Sequence, residues 1–304
     1  MTKYTIKDFR RQYPTDAACL DKIFKIRYGS IIYCPECTCE TEFRRIPTRR
    51  CYQCKHCYAQ FYPTAGTIFE KTTTPLSDWF FAIYLFTTTR NGVSAKELER
   101  ALGVTYKCAF RMGHKIRELI GGVDPEKLKG IVEIDETYMG GSISNKSNME
   151  RAEIMENQNR DDFKSPVIAM VERGGNIKAI AVTSAGKDEV HELIKLHIDK
   201  EALLNSDESL LYRNVSKELD IKHITVNHGN KEYRNGAACT NTVEGFFGHL
   251  KNAIRSTHIQ VSEKHMQSYL NEFCFRYDNR KIGAQMFDRI IGHLPVVRND
   301  ETMK

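Results

Sequence analysis

Four cysteines constrain this chain before anything else does. Cys34-Pro-Glu-Cys37 is followed, after sixteen intervening residues, by Cys54-Lys-His-Cys57. This is the spacing of a four-thiolate zinc site. Two residues between thiolates allow a tight knuckle that turns both sulfurs toward one ion, and two knuckles complete a tetrahedron. Short strand-forming stretches at Glu42–Arg45, Arg49–Gln53 and Gln60–Tyr62 predict a zinc ribbon around them. Cys39 and Cys51 are rival ligands. Cys51 paired with Cys54 leaves only thirteen residues after Cys37, which is too short, so both are read as spectators. Four thiolates leave no open coordination position, so the expected zinc is structural.

Ten cysteines in a chain of 304 residues fit metal ligation in a reducing compartment better than a disulfide framework. The longest apolar run, Trp79–Phe86, is far short of the ~20 residues that span a bilayer. The start, MTKYTIKDFRRQY, has no apolar signal core, and a cytoplasmic protein with no membrane partner is expected. Charge is unevenly placed. Residues 1–130 carry 22 Lys and Arg against 13 Asp and Glu, a balance of +9, whereas residues 131–304 sum to −3. A basic front half fits contact with a polyanion, and equally a solvated basic surface.

Behind the ribbon, Pro75-Leu76-Ser77-Asp78 predicts a helix start, with Ser77 as N-cap and Phe80, Ile83, Tyr84 and Phe86 on the helix; Trp79 is read as core. Ser94-Ala-Lys-Glu97 is a capping box for a short helix that buries Leu98, Ala101 and Leu102. Gly103 ends it, and Thr105 caps a third helix to about Leu119. Cys108, Ala109, Met112 and Ile116 lie on its apolar side, and Lys107, Arg111, Lys115 and Arg117 on its polar side. Helix, glycine turn and basic helix is the form of a helix-turn-helix, and also of a plain three-helix bundle.

The second half changes period. Ile131–Met139 reads as a strand with Val132, Ile134 and Tyr138 in one alternating set. Pro166–Glu172 and Ile177–Val182 follow as strands around Gly174-Gly175. Asp188–Ile198 is helical, Ala202–Leu204 and Ile221–Val226 are strands, and Thr240–Ile254 and Ser262–Tyr277 are helices. The order predicts an α/β fold, an RNase H-like mixed sheet with helices on both faces. Asp135 in the first strand, Asp207 beyond a strand's carboxyl end and Glu244 early in a helix could converge on two hard cations. Taken alone, any one of them is more often a surface carboxylate than a ligand. His228 could orient a water or phosphate, or be a satisfied strand-end histidine. Phe246 and Phe247 could stack on a base or belong to the core.

Taken together, these residues resemble the DDE transposases of bacterial insertion sequences, in the zinc-ribbon group related to the Merlin transposons. The resemblance runs from about Tyr28 to Arg280. It is carried by the two cysteine knuckles, Ala65-Gly-Thr-Ile-Phe-Glu70, Glu133-Ile-Asp-Glu-Thr-Tyr-Met-Gly-Gly141, Thr240-Asn-Thr-Val-Glu-Gly-Phe-Phe247 and Tyr269-Leu-Asn-Glu-Phe-Cys-Phe-Arg-Tyr277. It implies that Asp135, Asp207 and Glu244 are catalytic acids holding two Mg or Mn ions, with Lys251 as a basic companion two turns beyond Glu244. Glu208 competes with Asp207, and Asn241 is a rival or companion to Glu244. The basic loop that the family often has after the Gly-Gly is here, at Ser142–Lys164, mixed in charge.

The resemblance also implies the activity: terminal inverted repeats bound, DNA strands cut and joined, duplex DNA as partner, and a homodimer or higher oligomer on it. Lys107, Arg111 and Lys115 are the expected DNA contacts, and the protein would be nucleoid-associated when bound. The expected divisions are a helical segment at 1–27, the ribbon at 28–66, the helix-turn-helix at 67–125, the catalytic domain at 126–281 and a tail at 282–304. The alternatives are a non-catalytic zinc-ribbon regulator or domesticated remnant, and a plain nuclease.

Overall fold

The computed structural model describes residues 4–29, 33–122, 126–140, 147–149, 151–152, 164–207, 209–225 and 240–297. The chain divides into two units. One comprises Met1–Thr89, Val93–Gly122 and Lys281–Lys304, the other Arg90–Gly92 and Val123–Arg280.

The first unit opens with α1 (Ile6–Gln12), started by a capping box between Thr5 and Asp8, and α2 (Asp16–Tyr28), capped by Thr15. A small antiparallel sheet follows in the order β1 (Phe43–Ile46), β2 (Cys51–Cys54), β3 (Gln60–Phe61). Its apolar wall is α2: Phe24 stacks on Tyr52 with ring centroids 3.9 Å apart and also meets Phe43, while Tyr28 meets Phe61. Nothing local in the ribbon sequence indicates this wall, since it precedes the first knuckle.

Three helices come next: α3 (Leu76–Thr88), α4 (Ala95–Leu102) and α5 (Tyr106–Gly121). The Ser94–Glu97 capping box starts α4. Gly103 closes it at φ 66, a left-handed value that suits glycine, and Thr105 caps α5. Ser77 is not the cap of α3. The acceptor comes instead from Asp16 on α2, which binds both the amide and the hydroxyl of Ser77. Of the residues expected to bury α4, only Leu98 is fully enclosed. Arg117 also departs from the expected polar face. It is buried over the Phe86 ring and donates to the Val93 carbonyl. The stretch expected as a tail carries α10 (Met286–Gly292), whose Phe287 joins Phe9, Tyr13 and Phe80 in an aromatic cluster with centroid spacings of 5.0–5.9 Å. Trp79 is core, as expected.

The second unit is a five-stranded mixed sheet of β4 (Ile131–Met139), β5 (Ser165–Glu172), β6 (Ile177–Ala181), β7 (Leu203–Ser206) and β8 (Lys222–Thr225). Their order across the sheet is β6-β5-β4-β7-β8. β4, β5 and β6 pair antiparallel, while β7 and β8 run parallel to β4. Helices α6 (Lys187–His197), α7 (Leu210–Glu218), α8 (Asn241–Ala253) and α9 (Glu263–Asp278) cover both faces. Alternation divides the core. Val132, Ile134, Ile168 and Met170 pack with α6 and α7, and Val167, Ala169 and Val171 pack with α8 and α9. This is the RNase H-like arrangement anticipated. Tyr138 falls out of its expected buried set and is 44% exposed. On that side β7 pairs only with Ile131–Glu133, so the far end of β4 has no neighbouring strand there among the described residues. Among the described residues no helix is long and apolar enough to cross a membrane.

Candidate metal centres and nucleic-acid interface

The two knuckles bring Cys34, Cys37, Cys54 and Cys57 into one cluster, with all four sulfurs within 4.8 Å of one another. Cys34 and Cys57 Sγ are 3.7 Å apart, and Cys37 and Cys54 Sγ 3.9 Å. A zinc–sulfur bond of about 2.3 Å gives a tetrahedron edge of about 3.8 Å, so the cluster already has the dimensions of a Zn(Cys)4 site. The amides of His56 and Cys57 donate to Cys54 Sγ at 3.3 and 3.4 Å, which favours thiolate there. Burial pushes the Cys54 thiol up, but the Thr41 hydroxyl and these amides outweigh it and bring it down to about 6. Cys51 stays outside the cluster. It lies three residues from Cys54 on β2, so the two side chains point to opposite faces, and its sulfur sits 3.9 Å from Gln60 Oε1. Cys39 is nearer than a spectator need be, since its sulfur lies within 4.8 Å of Cys37 and His56 ligand atoms.

In the second unit, β4 and β7 pair parallel with Glu133 opposite Asn205. Continuing that register by two residues sets Asp207, one residue past β7, level with Asp135 and on the same face. Glu244 stands in the first turns of α8, which packs on that face of β4. The Asp135 carboxyl is pushed up to about 7, chiefly by burial, then by the charge of Glu136, with Asp207 and Glu244 adding to it; the Glu136 amide, 2.9 Å away, opposes them. Asp207 and Glu244 therefore each lie within electrostatic reach of Asp135. Their oxygens are more widely spread than the cysteine sulfurs and do not all fall within 4.8 Å. All three acids offer oxygen donors, which suit a hard divalent ion.

Neighbours fix these acids. Asp207 Oδ1 accepts from the Ser209 amide at 3.0 Å, and Glu244 Oε1 from the Thr240 hydroxyl at 3.0 Å. Tyr212 donates to Glu136, tying α7 to β4, and its own hydroxyl is held protonated by burial and by Glu136. Lys251 is half-exposed on α8, Asn241 is exposed at its start, and Phe246 and Phe247 are core. His228 and Glu208 lie outside the described residues, as does much of 142–164.

On α5, Lys107, Arg111 and Lys115 are all exposed at four-residue spacing, which makes one stripe. Lys115 pairs with Glu118 at 2.7 Å. A second stripe was missed in the sequence. Tyr106 and Phe110 are exposed beside it, 6.1 Å apart, with Lys96 Nζ 5.0 Å over the Tyr106 ring. The signal was available, because both sit one position before a basic residue of the helix.

Comparison with known proteins accords with this architecture. Residues 127–278, half of the chain, match the ISXO2-like transposase domain, and residues 14–60 match the transposase zinc-ribbon domain. The ribbon match begins two residues before α2 and so takes in that helix. An uncharacterized protein in transposable element ISH50 of Halobacterium salinarum is 28% identical over 280 residues, covering 88% of this chain and 92% of that protein. A chain in the cryoEM structure of the simian T-cell lymphotropic virus intasome, in complex with PP2A regulatory subunit B56 gamma, is similar at a TM-score of 0.28 and 13% identity. That match covers 64% of each chain, less than two thirds of either, and is too slight to bear on the fold. With its zinc ribbon in front and its transposase domain behind, the chain belongs to the ISXO2-like transposase family.

Proposed function

We propose that the chain binds the terminal inverted repeats of its insertion sequence and catalyses metal-dependent cleavage and strand transfer of duplex DNA. The observation that supports this reading best is that Asp207, one residue past β7, and Glu244, on the helix packed against β4, both press their charge on the half-buried Asp135 of β4. Asp135, Asp207 and Glu244 are the residues that would hold two Mg or Mn ions. Such ions stabilise the attacking and leaving oxygens of an in-line phosphoryl displacement.

The remaining work falls to the chain's own side chains. Asp135, half-buried and pressed by neighbouring negative charge, has a strong electrostatic demand for a cation. Thr240 orients the Glu244 carboxylate. Lys251, seven residues on and so about two turns along the same face of α8, meets a DNA phosphate. Lys107, Arg111 and Lys115 bind phosphates, and Tyr106 and Phe110 offer apolar contact to thymine methyl groups in the major groove. The protein works on DNA as a dimer or larger assembly.

The test is a cleavage and joining assay on duplexes carrying the element's ends, using the full chain. Asp135→Asn, Asp207→Asn and Glu244→Gln each abolish Mg-dependent cleavage while end binding stays near wild type. Asp207 loses its assignment if Asp207→Asn cuts normally while Glu208→Gln is dead, and Asn241 stands as the same control for Glu244. A wild type that binds ends but never cuts them is the non-catalytic regulator, and one that cuts without joining is a nuclease.

A further inference from the structure

Glu133 is fully buried on β4, two residues before Asp135 and so on the same face of the sheet. A buried carboxylate in that position is strongly destabilising unless it is fully partnered. Each of its oxygens takes two donors. Oε1 accepts from Arg173 Nε and from the Thr242 hydroxyl, both at 2.9 Å. Oε2 accepts from the backbone amides of Thr242 at 2.8 Å and Val243 at 3.2 Å. Those amides belong to the first turn of α8, where the N-cap residue Thr240 makes no side-chain cap of its own. The cap thus comes from another element, 109 residues earlier in the chain. A negative charge at a helix N-terminus is also favoured by the helix dipole.

We propose that Glu133 is a positioning residue for the metal site: it pins the start of the Glu244 helix to the Asp135 strand and sets the distance between the two acids. The inference rests on the two-metal reading above. Glu244 lies one residue beyond Val243, so a shift of the first turn of α8 moves its carboxylate directly. Gln cannot replace Glu133 without loss, because both oxygens face donors and a side-chain amide must turn its NH2 toward one of them. Partners that orient ligands in this way typically change metal affinity by about 10–100-fold when altered.

The experiment titrates Mn²⁺ calorimetrically into zinc-loaded, full-length wild type, Glu133→Gln, Thr242→Val and Asp135→Asn. It then follows cleavage of an end-bearing duplex against Mn²⁺ concentration. Glu133→Gln raises the Mn²⁺ Kd about 10–100-fold and raises the half-maximal concentration for cleavage in parallel. Excess Mn²⁺ restores its rate to within a few-fold of wild type, and its affinity for DNA ends is unchanged. Wild-type Mn²⁺ affinity in Glu133→Gln, or a rate that excess Mn²⁺ leaves depressed, overturns the proposal. If Glu133→Gln shows no cooperative melting, Thr242→Val decides: a weakened Mn²⁺ Kd supports the role and an unchanged one overturns it. If wild type takes up no Mn²⁺, or Asp135→Asn binds it like wild type, the two-metal reading fails and this inference falls with it.

Discussion

Asp16 Oδ1 accepts hydrogen bonds of 2.9 Å from both the backbone nitrogen and the hydroxyl of Ser77, 61 residues further along the chain. Its other oxygen meets Arg50 at 3.2 Å, so one carboxylate joins α2, the ribbon and α3.

Replacing Asp16 with alanine leaves the first turn of α3 without its acceptor and costs about 1 kcal/mol, the usual penalty for a lost cap. Burial raises the Asp16 carboxyl, but the Ser77 and Leu76 amides, the Ser77 hydroxyl and Arg50 together hold it below its ordinary value of 3.8. A depressed carboxyl stabilises the fold above its unfolded value and loses that contribution as pH falls through its folded one. The gap in unfolding free energy between wild type and Asp16→Ala therefore closes below about pH 4. Denaturant melts of both proteins at pH 7 and pH 3 measure it, and a gap independent of pH contradicts the account.

The cysteine cluster predicts one zinc per chain. Cys54→Ser purifies without it, and chelation lowers the melting temperature because metal binding and ribbon folding are coupled. Burial pushes the thiols of Cys19 and Cys274 up to about 12. At pH 8 both stay unalkylated in the native protein, before and after chelation, while Cys34, Cys37, Cys54 and Cys57 become reactive once the metal leaves. Mass spectrometry of the labelled peptides reads the difference.

Arg111→Ala weakens binding to the element's ends and reduces the slope of log affinity against log salt by about one, because one phosphate contact is gone. Phe110→Ala leaves that slope unchanged and reduces the preference for the cognate end. Fluorescence anisotropy across a salt series separates the two effects, and a steeper slope in Arg111→Ala contradicts the phosphate assignment.

Arg27 is buried and donates to the carbonyls of Pro63, Ala65 and Pro295 at 2.6–2.8 Å. Arg27→Met keeps much of the volume but strands those acceptors, and destabilises the fold by about 2–4 kcal/mol. Thermal unfolding gives the value, and a loss below ~0.5 kcal/mol shows that water satisfies the carbonyls instead.

What the sequence made legible was local. Cysteine spacing, the Ser94–Glu97 box, the Gly103 stop and the period-two strands all act within a few residues, and each appears where expected. Interactions between distant segments were not legible. Ser77 has the composition of a cap, yet its amide is taken by Asp16. Arg117 has the composition of a surface residue, yet Phe86 and the Val93 carbonyl draw it inside. Glu133 could have been suspected, because a charge two residues from Asp135 in a buried strand must share its face. Its partners, however, come from a helix more than a hundred residues away. The level of Asp207 with Asp135 needed the β4–β7 register, which no local pattern encodes.

The first unit is interrupted in sequence: the chain leaves it at Gly122 and returns at Lys281 to supply α10. A product that terminates early, anywhere before residue 281, lacks Phe287 and so leaves Phe9, Tyr13 and Phe80 around an open core. A premature stop within the transposase domain therefore also removes part of the core of the N-terminal unit.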